Sequence, residues 1–172
     1  YHLLSKILFA SRLPRTLALI LAGSALAVAG LILQMMARNR LVEPSTVGTM
    51  EASALGLLVP AWLAPGASLP LRFALVSVFA LGGTLIFLAV LRRIALRSAL
   101  IVPLVGLVLA GVIAAAGALL AQQLDLTQSL RAWNSGDFSA VLRGRYELLW
   151  LAAGMTVVAM LAADRFTVIG LG

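Results

Sequence analysis

Between Thr16 and Ala37 the sequence reads TLALILAGSALAVAGLILQMMA, without a single charged residue. A helix rises 1.5 Å per residue, so about 20 such residues cross the ~30 Å hydrocarbon layer of a bilayer. Further apolar runs follow at Val47–Leu63, Phe73–Leu91, Ala99–Ala121 and Tyr146–Ala163. Hydrophobic residues make up 62% of the chain and charged residues 11%, where soluble domains have roughly half and a quarter. A chain of this kind cannot bury its apolar surface inside itself. None of the runs alternates at period two, as a barrel strand would. The expected fold class is therefore all-α, a polytopic membrane helix bundle with five transmembrane helices. The second and fifth runs are short, which requires packing against neighbours or extension into their flanks.

The residues that are absent narrow the function. There are no cysteines, which excludes disulfides and thiolate metal sites. The single histidine, His2, stands at the N-terminus, so the spans lack the usual general base and the commonest metal ligand. Lys6 is the one lysine and no phosphate-binding loop surrounds it. Energy from ATP would have to come from another polypeptide. No cofactor is implied. Intramembrane catalysis would need paired Asp, a Ser/His or Ser/Lys dyad or a metal cluster, and none falls within the spans. The net charge of +7 does not imply nucleic acid, because the basic residues sit in pairs between apolar runs and form no patch. They read instead as residues at the ends of membrane helices.

Small residues repeat along the spans. Gly23, Ala27 and Gly30 share one face, Gly106, Ala110 and Ala114 another, and Gly82 with Gly83 mark a third. In lipid such faces let helix backbones approach. The longest loop carries Asp125 and, three residues on, Gln128, the spacing of a capping box. Leu126, Leu130 and Trp133 then share a face and Gly136 supplies a stop, giving a short interfacial helix at about 126–134. Asp137 and Glu147 flank arginines in the same loop and read as solvated ion pairs. Glu51 enters the second run one turn from its start. That position suits either a functional carboxylate at membrane depth or a structural one at the positive end of the helix dipole.

Topology from charge alone is undecided. Alternating loops put Lys6, Arg12, Arg15, Arg72, Arg131, Arg143 and Arg145 on one side and Arg38, Arg40, Arg92, Arg93, Arg97 and Arg165 on the other. The positive-inside rule cannot choose between such equal sides. One side therefore carries arginines for a reason other than topology.

The stretch from Arg12 to Gly56, RLPRTLALILAGSALAVAGLILQMMARNRLVEPSTVGTMEASALG, resembles the integral-membrane permease of iron-chelate and vitamin B12 ABC importers. The shared elements are the R-x-P-R opening, the small-residue helix leading to Gln34, the turn Arg38–Asn39, and Pro44, Gly48 and Gly56 at the expected offsets. PLVGLVLAGVI from Pro103 and SLRAWNSGDFSAVLRGRYELLW from Ser129 match as well. Arg40, where a proline is common, and Glu51, where small polar residues are common, depart from the pattern.

The resemblance implies a type II ABC importer permease of ten helices, of which this sequence corresponds to helices two to six. It implies an ABC ATPase subunit, a periplasmic siderophore-binding protein and a second permease subunit, identical or related, as partners in the bacterial inner membrane. It places Arg12 and Arg15 on the periplasmic side, where family arginines meet acidic residues of the binding protein. Two guanidiniums there offer bidentate donors to carboxylates and steer an acidic partner, while snorkelling to lipid headgroups is the other reading. Pro14 can hold the pair in the first helical turn. The helix from Ala99 would line the pathway and the loop before it close the cytoplasmic exit, implicating Ser98, Ala99, Pro103 and Gly106. The implied cargo is an iron–siderophore complex, leaning to the catecholate type; haem or vitamin B12, and a truncated fragment that does not transport, are the alternatives.

Overall fold

The computed structural model describes residues 12–94, 99–135 and 147–170, with side chains in the last segment described from 150 to 161. All regular structure in them is helical: α1 Leu13–Ala37, α2 Thr49–Leu63, α3 Leu69–Arg93, α4 Ile101–Gln123, α5 Thr127–Asn134 and α6 Glu147–Gly170. Among the described residues three helices are long and apolar enough to cross a membrane, namely α1, α3 and α4, while α2 and the stretch Trp150–Leu161 are shorter apolar helices. Ser98, Gly136 and Asp137, and the side chain of Glu147, lie outside the described residues.

Contacts divide the chain into two units, residues 1–32 with 136–172, and residues 33–135. In the first, Pro14 occupies the opening turn of α1, where the fixed φ of proline suits a helix. Hydroxyls in this unit turn back onto their own helix: Thr16 Oγ1 donates to Arg12 O at 3.0 Å and Thr156 Oγ1 to Ala152 O at 2.8 Å. Such back-bonding leaves an apolar medium no unpaired hydroxyl to solvate.

The second unit is built on α2. It packs antiparallel to α3, with Ala52 and Gly56 facing Gly83 and Val76. A Cβ at Gly56 would lie 2.7 Å from Val76 Cα, and one at Gly83 2.6 Å from Ala52 Cβ. The backbones are therefore as close as glycine permits. Near the start of the pair, Thr49 and Thr84 bring their hydroxyls to 2.8 Å. Thr84 Oγ1 also lies 3.0 Å from Ala80 O, so the hydroxyl pair is tied back to α3. The apolar core lies at the same end: Phe87 is fully buried, among Leu33, Val42, Val47, Leu91 and Val102.

Elsewhere large side chains are exposed, among them Val78, Leu81, Leu85, Leu104, Val108 and Val112. An apolar surface of this extent needs lipid or a partner to cover it. Of the small residues read as contact faces, Gly83, Gly106 and Ala110 lie in tight seams, whereas Gly23 and Gly82 have nothing within 4 Å of an added Cβ and Ala114 is exposed. The capping-box reading of Asp125 is also corrected. Asp125 adopts φ +58° and ends α4, with its N–H on Gln122 O and that of Leu126 on Ala121 O. This is the paired bonding of a left-handed C-terminal cap. Leu126, without a side-chain cap bond, precedes α5.

Candidate functional site

Two clusters of named residues carry functional meaning. The first is the pair at the head of α1. Arg12 is exposed and Arg15 half-buried, on either side of the buried Pro14. Basic side chains at a helix N-terminus face the positive end of the dipole, at a cost of about 0.3–1 kcal/mol each at a surface. Arg92 and Arg93, in the last turn of α3, have the opposite and favourable placement. Helix formation therefore gives no reason for Arg12 and Arg15. Arg72, in the first turn of α3, has the same unfavourable placement; its Nη2 donates to Pro65 O at 2.6 Å and its Nε to Ala67 O at 3.1 Å. This arginine clamps the α2–α3 turn.

The second cluster joins the two loops at the core end of the second unit. Helix α1 closes with Arg38 at φ +50°, its N–H on Met35 O at 3.2 Å and that of Asn39 on Gln34 O at 3.0 Å. This motif usually takes glycine at the left-handed position. It delivers Asn39, only 8% exposed, into the gap between the loops. Asn39 Nδ2 donates to Ala99 O at 2.6 Å, and its Oδ1 accepts from Leu41 N–H at 2.8 Å. One buried amide thus ties the α1–α2 turn to the segment that starts α4.

The gate candidates separate under this geometry. Ala99 supplies the carbonyl that Asn39 grips, and Pro103 lies half-buried in the first turn of α4. Gly106 does not line an open face. A Cβ there would collide with Thr46 O, so Gly106 is buried because the loop's backbone lies directly on α4. Its neighbour in that seam is Gly48, with φ +83°, whose added Cβ would meet Ile113 at 3.1 Å. Only glycine combines that backbone angle with so close an approach.

Glu51 lies in the first turn of α2, half-buried, with Oε2 enclosed and without a hydrogen-bond partner. It shares a helical face with Gly48 and Leu55, both of which meet α4. From Ile101 to Ala121 that helix has no polar side chain to offer. Neither the dipole reading nor the functional one is removed by this placement. Asn39 and Arg72 were not singled out as site residues by the sequence. The available signal was a polar residue immediately outside an apolar run, facing a short turn.

The FecCD transport family profile matches residues 1–172. The chain belongs to the FecCD transport family. Among relatives, the petrobactin import system permease protein FatD of Bacillus anthracis is 46% identical over 95% of this chain and 49% of its own length. The petrobactin import system permease protein YclN of Bacillus subtilis (strain 168) is 41% identical over 96% and 52%. The ferric-anguibactin transport system permease protein FatD of Vibrio anguillarum is 39% identical over 96% and 52%. The chain thus spans about half the length of these relatives. A solved metal-chelate type ABC transporter in an inward-facing conformation superposes with TM-score 0.72 at 24% identity, covering 100% of this chain and 55% of that one. That likeness shows that the two chains share an all-α fold.

Proposed function

We propose that this FecCD chain works as part of the permease subunit of a binding-protein-dependent ABC importer that moves iron–siderophore complexes across the bacterial inner membrane. The observation that carries the reading is the match along nearly the whole chain to permeases named for petrobactin and anguibactin import. The vitamin B12 import system permease BtuC of Escherichia coli matches at 41% identity over only 50% of the chain, so a cobalamin cargo is less well supported.

In this reading the chain forms no covalent intermediate. ATP hydrolysis takes place on a separate ATPase subunit, and a second permease subunit completes the pathway. Arg12 and Arg15 present guanidiniums to acidic residues of the periplasmic binding protein, as bidentate donors at a boundary of low dielectric. The Asn39–Ala99 bond ties the α1–α2 turn to the residues that precede α4, so that the two shift together when access alternates.

The test is uptake of labelled ferric chelates by cells expressing the full-length gene with its ATPase and binding protein. Uptake of a ferric siderophore that requires all three components is expected. Saturable uptake of cobalamin in its place would overturn the cargo assignment.

A further inference from the structure

We infer that Arg72, at the α2–α3 turn, is a further docking residue for an acidic side chain of the binding protein, separate from Arg12 and Arg15. The inference rests on the importer reading proposed above. It starts from what the guanidinium does inside the chain. Nη2 donates to Pro65 O at 2.6 Å and Nε to Ala67 O at 3.1 Å. Among the described residues Arg72 has no other side-chain hydrogen bond and no ion pair. The N–H groups of Nη1 are therefore unused, on a side chain that is half-buried and not enclosed.

Two neutral carbonyls call for donors and not for a charge. The turn also pairs its own backbone: Ala64 N–H donates to Pro60 O, Ala67 N–H to Ala64 O and Arg72 N–H to Ser68 O, at 2.9 to 3.0 Å. The positive charge has no such local use. It stands at the unfavourable end of the α3 dipole, and no acidic residue occurs from Ala52 to Leu124 to neutralise it. An anion from outside this segment fits the charge.

The clamp favours a partner of fixed shape. Two hydrogen bonds already hold the guanidinium, so less side-chain freedom is lost when a carboxylate meets it. A mobile lipid phosphate gains little from such preorganisation, whereas a folded surface does. Around the turn Trp62, Leu63, Leu69 and Leu71 are exposed, at 58%, 67%, 62% and 49%. Arginine and tryptophan are the residues that most often dominate protein interfaces. The alternation of the apolar runs puts Arg72 on the side of Arg12 and Arg15, from which the binding protein approaches in the proposed reading.

The test uses the full-length permease assembled with its ATPase in lipid nanodiscs, and measures the rates at which purified binding protein associates and dissociates. Native transporter is compared with Arg72→Gln, Gly66→Glu and Arg93→Gln. Gly66 is exposed and has nothing within 4 Å of an added Cβ, so Gly66→Glu sets a carboxylate at the turn without removing an Arg72 hydrogen bond. Arg93, in the last turn of α3, is the control for charge at the other end of that helix. Association slowed roughly three- to tenfold by Arg72→Gln and by Gly66→Glu is expected at low salt. The difference should vanish near 1 M salt, where the Debye length is about 3 Å, and Arg93→Gln should bind as the native protein does.

Native rates in both turn variants overturn the inference and leave Arg72 a clamp. Equal slowing by Arg93→Gln overturns it as well, since the effect would then belong to the overall field. So does slowing found in phosphatidylglycerol nanodiscs and absent in phosphatidylcholine ones, which traces the charge to lipid. Should Arg72→Gln not fold, Gly66→Glu decides alone. If Arg12→Glu with Arg15→Glu binds normally while the turn variants do not, docking at α1 fails and the assignment of Arg72 stands. If the native transporter captures no binding protein at all, the importer reading fails and this inference with it.

Discussion

Asn39 Nδ2 lies 2.6 Å from the carbonyl of Ala99, sixty positions on. The amide is reached through the left-handed turn at Arg38, and the carbonyl stands just before α4. The Asn39 side chain is 8% exposed, whereas Ala99 is exposed, so the bond is part-buried at the edge of the fold's core end.

Asn39→Ala removes both the donor to Ala99 O and the acceptor for Leu41 N–H. Each such bond contributes about 0.5–1.5 kcal/mol. A clear fall in the apparent melting temperature of the detergent-purified transporter is expected, with reduced uptake. Asn39→Asp keeps the acceptor toward Leu41 but places an anionic oxygen against Ala99 O. It is expected to be at least as damaging, which separates the inter-loop bond from the local one. Equal stability of both variants and the native protein would show that the loops are held by packing alone.

Gly106 and Gly82 give a matched comparison inside membrane helices. Gly106→Ala drives a methyl into Thr46 O, and overpacking of this kind costs about 1–3 kcal/mol. Gly82→Ala meets nothing within 4 Å and gains helix propensity of up to about 1 kcal/mol. Thermal denaturation followed by fluorescence should therefore rank Gly82→Ala at or above the native protein and Gly106→Ala below it. The reverse order would mean that the loop at Thr46 does not lie on α4.

That contrast also shows what the sequence could reveal. The helices were legible because a bilayer demands long uncharged runs, and each run overlaps an observed helix along most of its length, three of them starting one or two residues before it. Their ends were less so. Helix α3 starts at Leu69, earlier than the Phe73 expected, because Pro70 fits a first turn and Arg72 folds back onto the preceding carbonyls. Gly82 and Gly83 are alike in composition and opposite in role, since a rotation of one residue decides which faces Ala52. Asp125 had the right spacing for a cap, but the end of α4 claimed it first. In the candidate site, the arginines of the R-x-P-R element were legible from resemblance, while the Asn39–Ala99 bond depends on a separation no local pattern encodes.

Glu51 supplies a test of membrane-depth charge. Its Oε2 makes no hydrogen bond, so Glu51→Gln removes no bond at that atom and forfeits only the interaction with the helix N-terminus, about 0.3–1 kcal/mol. Stability close to native is expected, measured as the apparent melting temperature. Uptake measured on the same preparation then divides the two readings. Loss of transport at native stability assigns the carboxylate to the pathway, and unchanged transport assigns it to the dipole.

Arg12 and Arg15 carry the docking proposal, and charge reversal is its sharpest test. Arg12→Glu with Arg15→Glu exchanges two cations for two anions at an exposed and a half-buried position, and it relieves the helix dipole. Membrane insertion and basal ATPase activity should therefore persist in the full transporter. An acidic partner would now be repelled, so stimulation of ATPase and of uptake by the binding protein should be abolished. Long-range steering is screened beyond about 8 Å at physiological ionic strength, so binding by the native protein should weaken as salt rises, while any residual binding by the reversed variant should not. If instead the pair only anchors headgroups, the variant would bind its partner with native affinity and the same salt dependence.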